Sequence, residues 1–122
     1  MALVYIPIFF LFGAFVAMPL AGPAFHEFYR DLKPTAWLPL IEIVRGYIWA
    51  LLAVLIVSML AVGLNKAALL TGLTFSLLMG AMLIAPNPII DSDRLRWSHF
   101  VEVSTSNFLF GWLAVRILTQ DK

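Results

Sequence analysis

The sequence contains no cysteine. This absence excludes disulfide bonds, zinc sites with thiolate ligands and cysteine nucleophiles, and it leaves His, Asp and Glu as the candidate metal ligands. Charge is also scarce, because only 12% of the residues are charged and the net charge is +1. The few Lys and Arg residues are scattered along the chain, so the sequence argues against a nucleic-acid partner bound through counterion release.

Segment 1–22 lacks any basic residue. A secretory signal peptide needs a positively charged start and a shorter apolar part, so this segment does not fit one. We therefore predict that it is a retained helix rather than a cleaved leader.

Apolar side chains are abundant: 62% of the 122 residues are hydrophobic, and the mean hydropathy is +0.95. Soluble domains use only about 45 to 50% apolar residues. A soluble chain of this length has too little interior to hide so much apolar surface. The lipid bilayer is therefore the predicted environment.

Four apolar windows are long enough for a helix that crosses a bilayer, which needs roughly 20 residues. They are residues 2–20, 41–64, 67–85 and 97–118. Because the connections between them are short, neighbouring helices are expected to be antiparallel. We predict an all-α integral membrane protein, a single domain of four antiparallel transmembrane helices.

Turn residues separate the last three windows. Residues 63–66, Gly-Leu-Asn-Lys, predict a tight hairpin, since Gly and Asn tolerate the left-handed conformation at a helix end. Pro86 and Pro88 stop the third helix. Either Ser92 or Asp93 can cap the fourth helix.

The connection between the first two windows has a helical pattern of its own over residues 23–33. Its aromatic and aliphatic residues fall on one helix face, and its charged residues and His26 fall on the other. We predict a short amphipathic helix in the membrane interface, with Trp37 as an anchor at headgroup depth. An ordinary connector is one interpretation of this helix, and a lid over a substrate is the other.

A stripe of small residues runs along the third predicted helix at every fourth position. Small side chains let helices approach closely in lipid, where packing drives association. The partner is either a helix of the same chain, which we favour, or a helix of a second copy. The residues predicted to pack in this way are Ala68, Gly72, Ser76 and Gly80, together with Gly111 in the fourth helix.

The polar groups are concentrated on one side of the predicted bundle. Six of the seven acidic residues, five of the eight basic residues and both histidines lie in or near loops 21–40 and 86–96. Since Lys and Arg favour the cytoplasmic side, these loops are predicted to be cytoplasmic and both termini to lie on the opposite side.

Several of these polar groups fall inside the predicted spans. Glu102 is roughly 7 Å deep if the fourth helix enters the membrane at Trp97, and a charge at such depth usually finds a partner. We predict an ion pair between Arg45 and Glu102 in a polar pocket, or else polar contacts that only hold the helices together. The candidate binding residues are Glu42, Arg45, Trp49, His99, Glu102, Ser106 and Asn107.

His99 and Glu102 have an H-x-x-E spacing, which puts imidazole and carboxylate on one helix face and makes them the candidate catalytic residues. We predict no metal site, because the chain has only two histidines and no second motif of this kind. Phosphate-binding, dinucleotide-binding and serine-hydrolase fingerprints are absent from the sequence. The sequence indicates no particular cofactor.

Three classes of function fit this pattern. The sequence favours a subunit or assembly component of a larger membrane complex, with other membrane subunits or a second copy as partners. A transporter or binding protein for a small molecule or ion would instead use a pocket around Arg45, His99 and Glu102. A membrane enzyme would use His99 and Glu102 as an acid–base pair on a lipid-like substrate.

Overall fold

Every secondary-structure element in the described part of the chain is a helix. The computed structural model describes residues 2–33, 35–86 and 88–119. Helix α1 (Ala2–Phe12), a π-helical segment (Gly13–Ala17) and α2 (Met18–Ala21) follow one another without a break, and we call them together the first helix. The other elements are α3 (Pro23–Tyr29), α4 (Leu38–Met59), α5 (Leu64–Gly80) with a 3-10 turn (Ala81–Leu83), and α6 (Asp93–Leu118).

Among the described residues, three helical segments are long and apolar enough to cross a membrane: Leu3–Ala21, Leu38–Met59 and Leu64–Leu83. They indicate a membrane protein, as the composition predicts. Helix α6 is the least apolar of the four long helices. Its 26 residues extend over about 39 Å, but they include the charged residues Asp93, Arg94, Arg96, Glu102 and Arg116.

The hairpin between α4 and α5 lies earlier than the sequence predicts. Helix α4 ends at Met59, and residues 60–63 make the connection. Gly63 has an extended conformation, with φ −62° and ψ 154°, and its carbonyl accepts a hydrogen bond from the Ala67 amide at 3.0 Å. The predicted turn at 63–66 is therefore wrong, because residues 64–66 already form the first turn of α5.

Helix α3 ends at Tyr29, so it is shorter than the interfacial helix predicted over residues 23–33. It follows directly on Gly22, whose φ of 58° is a conformation that favours glycine. The side chain of Arg94 donates from Nε to the Leu20 carbonyl at 3.0 Å, which satisfies an open acceptor at the end of the first helix. The sharp turn at Gly22 brings α3 against α6.

Helix α6 is the central element of the bundle. It packs against the first helix, α3, α4 and α5, and more of its residues are buried than in any other helix. Of the two predicted caps, Ser92 is the one observed, since its hydroxyl accepts a hydrogen bond from the Leu95 amide at 3.4 Å.

Glycines bring α5 and α6 into backbone contact. A Cβ atom on Gly72 would lie 2.9 Å from the Phe108 carbonyl oxygen, and one on Gly111 would lie 3.0 Å from the Thr71 carbonyl oxygen. No larger residue fits at either position without a shift of the helices. The small-residue stripe of α5 thus lies against α6 of the same chain, through Ala68, Gly72 and Gly80, with Ser76 half-buried.

The first helix keeps one face toward the bundle although its winding changes. Tyr5 is buried before the π-helical segment, Ala17 is buried at its last position and Ala21 is buried after it. A π-helical turn takes up an extra residue, so both halves present their buried faces in the same direction. The segment begins at Gly13, where a Cβ atom would lie 3.8 Å from Glu102 Oε1.

Candidate functional site

A chain of hydrogen bonds joins α3 to α6. His99 Nδ1 lies 2.8 Å from Glu102 Oε2, and His99 Nε2 lies 3.1 Å from the Tyr29 hydroxyl. His99 and Glu102 are one helical turn apart, so the H-x-x-E spacing produces their contact directly. The pair is well shielded, with 13% of the His99 side chain and 7% of the Glu102 side chain exposed.

The partners of His99 determine where its protons lie. The Glu102 carboxylate only accepts hydrogen bonds, so Nδ1 donates to it. A neutral imidazole then accepts at Nε2, and the Tyr29 hydroxyl donates to that nitrogen. A proton can move along such a chain, as general acid–base catalysis requires.

Tyr29 is held in its protonated form. Burial raises the pKa of its phenol above the usual value of 10.0, and the negative charge of Glu102 acts in the same direction. The phenol is therefore available as a hydrogen-bond donor to His99 throughout the neutral pH range.

These side chains form the polar end of an apolar cavity, which we call the outer pocket. Its volume is about 320 Å³, a size typical of small-molecule sites. Phe10 and Met18, at its edge, are 51% and 37% exposed. The pocket therefore opens along the outer surface of the first helix. Its apolar wall includes Phe9, Phe10, Ala14, Met18, Phe25 and Leu38.

Glu102 also borders a second, smaller cavity, which we call the inner cavity. Its volume is about 30 Å³, enough for a water molecule or two. The hydroxyl of Tyr5 donates to Asn107 Oδ1 at 3.3 Å beside it. The polar residues that line this cavity are Tyr5, Arg45, Glu102, Ser106 and Asn107.

Arg45 and Glu102 border the same cavity but do not form the predicted ion pair. Arg45 Nη1 lies 3.3 Å from Glu42 Oε1 in α4, and Glu102 pairs with His99 in α6. In both cases the partner is one turn away on the same helix, so the backbone already holds the two groups close together. The prediction of a pair across helices is therefore wrong, since each group pairs with a residue of its own helix.

Two other predicted binding residues lie away from both cavities. Glu42 is 3% exposed and contacts Arg45, but it lines neither the outer pocket nor the inner cavity. Trp49 packs its ring against Phe75, with the centroids 4.6 Å apart, and belongs to the apolar core.

Thr105 lies in a run of polar residues in α6, positions 104–107, but it is exposed. Its hydroxyl donates a hydrogen bond to the Val101 carbonyl at 2.6 Å.

An apolar cluster lies beyond the inner cavity. The ring of Tyr5 contacts Phe110 edge-on at 4.9 Å, and Phe110 stacks on Phe75 at 6.4 Å. Phe75, Phe110 and Ala114 are fully buried. Within the described residues, the polar groups therefore form a recess that ends in mid-bundle rather than a path through it.

Sequence reasoning placed Tyr29 only on the apolar face of the predicted interfacial helix. Its partner His99 is 70 residues away, a distance at which spacing carries no information. Gly13 and Tyr5 were also missed, because a first helix without charge gives no sign of which residues face a polar group. The one available signal was the shared face of Phe25 and Tyr29, which both line the outer pocket.

In the part of the chain that the structure describes, no three His, Asp or Glu side chains converge on a point where they could hold a metal ion. Comparisons of the chain with protein-family models, with curated proteins and with solved structures found no match. We therefore infer the function from the geometry of the site alone.

Proposed function

We propose that this protein binds a lipid-like small molecule in the outer pocket, with the polar group of the ligand at the Tyr29–His99–Glu102 chain. The observation that carries the proposal is an apolar cavity of about 320 Å³ that ends in a buried, hydrogen-bonded His–Glu pair. Small-molecule sites usually combine an apolar wall with a few convergent polar groups. An ionisable pair at bilayer depth is itself a default indication of a site.

The proposal includes a multi-pass topology in which α6 is the fourth span. The length of α6 and the burial of Glu102 support this topology, because a buried carboxylate is shielded from lipid. Loops 21–40 and 86–96 would then share one side of the membrane, and their larger number of Lys and Arg residues makes it the cytoplasmic side in this proposal. Since the chain has no cysteine, single Asp91→Cys and Thr119→Cys variants test it directly. Labelling of both from the same side of the membrane would rule out the fourth span.

Entry from the bilayer is part of the same proposal. The opening runs between exposed apolar side chains of the first helix, Phe10 and Met18, which face lipid in a membrane-embedded bundle. A lipid-like ligand could therefore reach the site without crossing water. The apolar cluster around Phe75 and Phe110 favours a binding site over a channel, because it separates the recess from the far end of the bundle.

A membrane enzyme is the second candidate, and the relay of Tyr29, His99 and Glu102 favours it. Such a relay could move a proton between two positions of a bound substrate, a reaction that needs no co-reactant. Exchange of substrate hydrogen for deuterium in D₂O, with a lipid extract of the native membrane as substrate, would reveal turnover by mass spectrometry. Exchange that persists unchanged in His99→Ala would argue against this role.

The subunit of a larger complex stays a prediction. The small-residue stripe does not offer a contact for another subunit, because it is already occupied by α6 within the chain. The exposed surface of α4 and α5 consists mostly of large apolar side chains, which lipid alone can cover.

Photolabelling tests the binding proposal. The purified protein in lipid vesicles is exposed to hexadecanol carrying a diazirine, and the labelled residues are mapped by mass spectrometry. We expect labels on the lining of the outer pocket, above all on the first helix and α3. An Ala14→Phe variant should lose these labels, because the added ring occupies the pocket that Ala14 lines.

The matched control is Leu11→Phe, which places the same ring on an exposed position of the same helix that does not line the pocket. It should label like the wild type. Labels spread evenly over all lipid-facing helices, and unaffected by Ala14→Phe, would mean that the probe reports only the surrounding lipid and would refute a specific site.

A further inference from the structure

The hydrogen bonds at the polar end of the outer pocket leave acceptors for a ligand but no donors. The Tyr29 proton is engaged by His99, and the Nδ1 proton of His99 is engaged by Glu102. Glu102 Oε1 has no hydrogen-bond partner among the described residues, and it lies 3.8 Å from the Cβ position of Gly13 in the pocket wall. A ligand that satisfies this end of the pocket must bring its own donor.

The charges around the pocket point the same way. Within the described part of the chain, the outer pocket is lined by one acidic residue, Glu102, and by no Lys or Arg. Arg45 borders the inner cavity but not the outer pocket, and it is paired with Glu42. A carboxylate or phosphate head would therefore meet the negative charge of Glu102 without a fixed cation to offset it.

We propose that the ligand of the outer pocket is an apolar molecule with a neutral hydroxyl head, a long-chain or ring alcohol, whose hydroxyl donates to Glu102 Oε1. This inference rests on the proposed function, since it specifies the ligand of the same pocket. An ammonium head would also donate and would be attracted by Glu102, but the loss of its hydration at bilayer depth costs more than one ion pair returns.

Competition against the diazirine-bearing hexadecanol tests this ligand class. The competitors are hexadecanol, hexadecanoate and hexadecylamine, which share one tail and differ in the head, at a mildly alkaline pH that ionises hexadecanoate. We expect hexadecanol to compete roughly tenfold more strongly than hexadecanoate, the effect of one hydrogen bond to a charged group. Hexadecylamine should compete less strongly than hexadecanol.

Glu102→Gln sharpens the test, because the amide that it introduces has N–H donors as well as an acceptor. In this variant the preference for hexadecanol over hexadecanoate should fall to about one. The control is Asp31→Asn, which removes a carboxylate that is 86% exposed and outside the pocket lining, and it should keep the wild-type preference. The wild-type series decides the matter even if Glu102→Gln does not fold.

The possible outcomes separate the two proposals. If hexadecanoate or hexadecylamine competes as well as hexadecanol in the wild type, the hydroxyl assignment is wrong while the pocket stands. If the preference survives in a folded Glu102→Gln, Glu102 is not the acceptor, and the assignment is again wrong. If no competitor reduces labelling of the pocket residues, the proposed function itself fails.

Discussion

The two sides of α6 make different kinds of contact with the rest of the bundle. Toward α5, glycines bring backbone against backbone, and a single added methyl group would collide with a carbonyl oxygen. Toward the first helix and α3, the same helix leaves two cavities and fills their edges with hydrogen-bonded polar groups. We call these the packed side and the open side of α6.

The difference shows how a small membrane protein can combine rigidity with a binding site. Helix packing in lipid has no hydrophobic driving force and depends on close contact, so the packed side supplies the fixed frame. The open side can then keep unfilled volume next to His99 and Glu102 without loosening the bundle. Changes on the packed side should have the largest effect on stability, and changes on the open side should affect binding as well as stability.

The largest effect is expected from Gly72→Ala on the packed side. The new methyl group would lie 2.9 Å from the Phe108 carbonyl oxygen, so α5 and α6 must move apart. Overpacking of this kind costs about 1–3 kcal/mol of unfolding free energy. A collision with backbone places the cost at the upper end of that range, and the higher helix propensity of Ala returns about 1 kcal/mol, so we expect a net loss of about 2 kcal/mol. Unfolding of the protein in mixed detergent micelles measures it.

Gly63→Ala is the matched control, because a Cβ atom at Gly63 meets nothing within 4 Å. It should change the unfolding free energy by less than about 0.5 kcal/mol. Equal effects of the two variants on the unfolding free energy would show that the packed side is not closely packed. The two sides of α6 would then not differ in packing.

An intermediate effect is expected from His99→Ala on the open side. The substitution leaves Glu102 Oε2 buried without its partner, which costs about 1–2 kcal/mol of unfolding free energy. Adding Glu102→Leu should recover most of that loss, because an apolar pair has no hydrogen bond to miss. If the double variant loses as much unfolding free energy as His99→Ala and Glu102→Leu lose together, the two side chains do not stabilise the protein as a hydrogen-bonded pair.

The smallest effect on the unfolding free energy is expected from Tyr29→Phe, and this effect should depend on pH. Because the pKa of Tyr29 is raised on folding, its phenol contributes to stability fully below the usual pKa of 10.0. This contribution is lost as the pH rises through the higher pKa of the folded state. The phenolate absorbance of the wild type minus that of the variant isolates this group. A difference signal that titrates at or below pH 10.0 would contradict the raised pKa of this partly buried phenol.

Much of the fold was open to prediction because it depends on local composition. Hydropathy predicts four spans, and three of the described helices are long and apolar enough to be spans. The spacing of His99 and Glu102 predicts their shared helix face, on which they form their contact. Helix ends were less predictable, since a single hydrogen bond, such as the one from the Ala67 amide to the Gly63 carbonyl, determines at which residue a helix begins.

The partners of the polar groups were the hardest part to predict. Arg45 had acidic candidates on its own helix and on another, and hydropathy does not rank them. The nearer one, Glu42, forms the contact. Tyr29 reaches His99 only because the chain turns sharply at Gly22, and the sequence does not state the direction of that turn.

The π-helical segment sets the phase of the first helix. Each residue of an α-helix rotates the chain by about 100°, so deleting one of residues 13–16 would turn Tyr5 away from Asn107 while Ala17 and Ala21 kept their places. Of the first helix, only residues that precede the segment line the inner cavity, whereas the outer pocket is lined from Phe9 to Met18, on both sides of its start. The number of residues in the segment, more than their identity, keeps both cavities in register with Glu102.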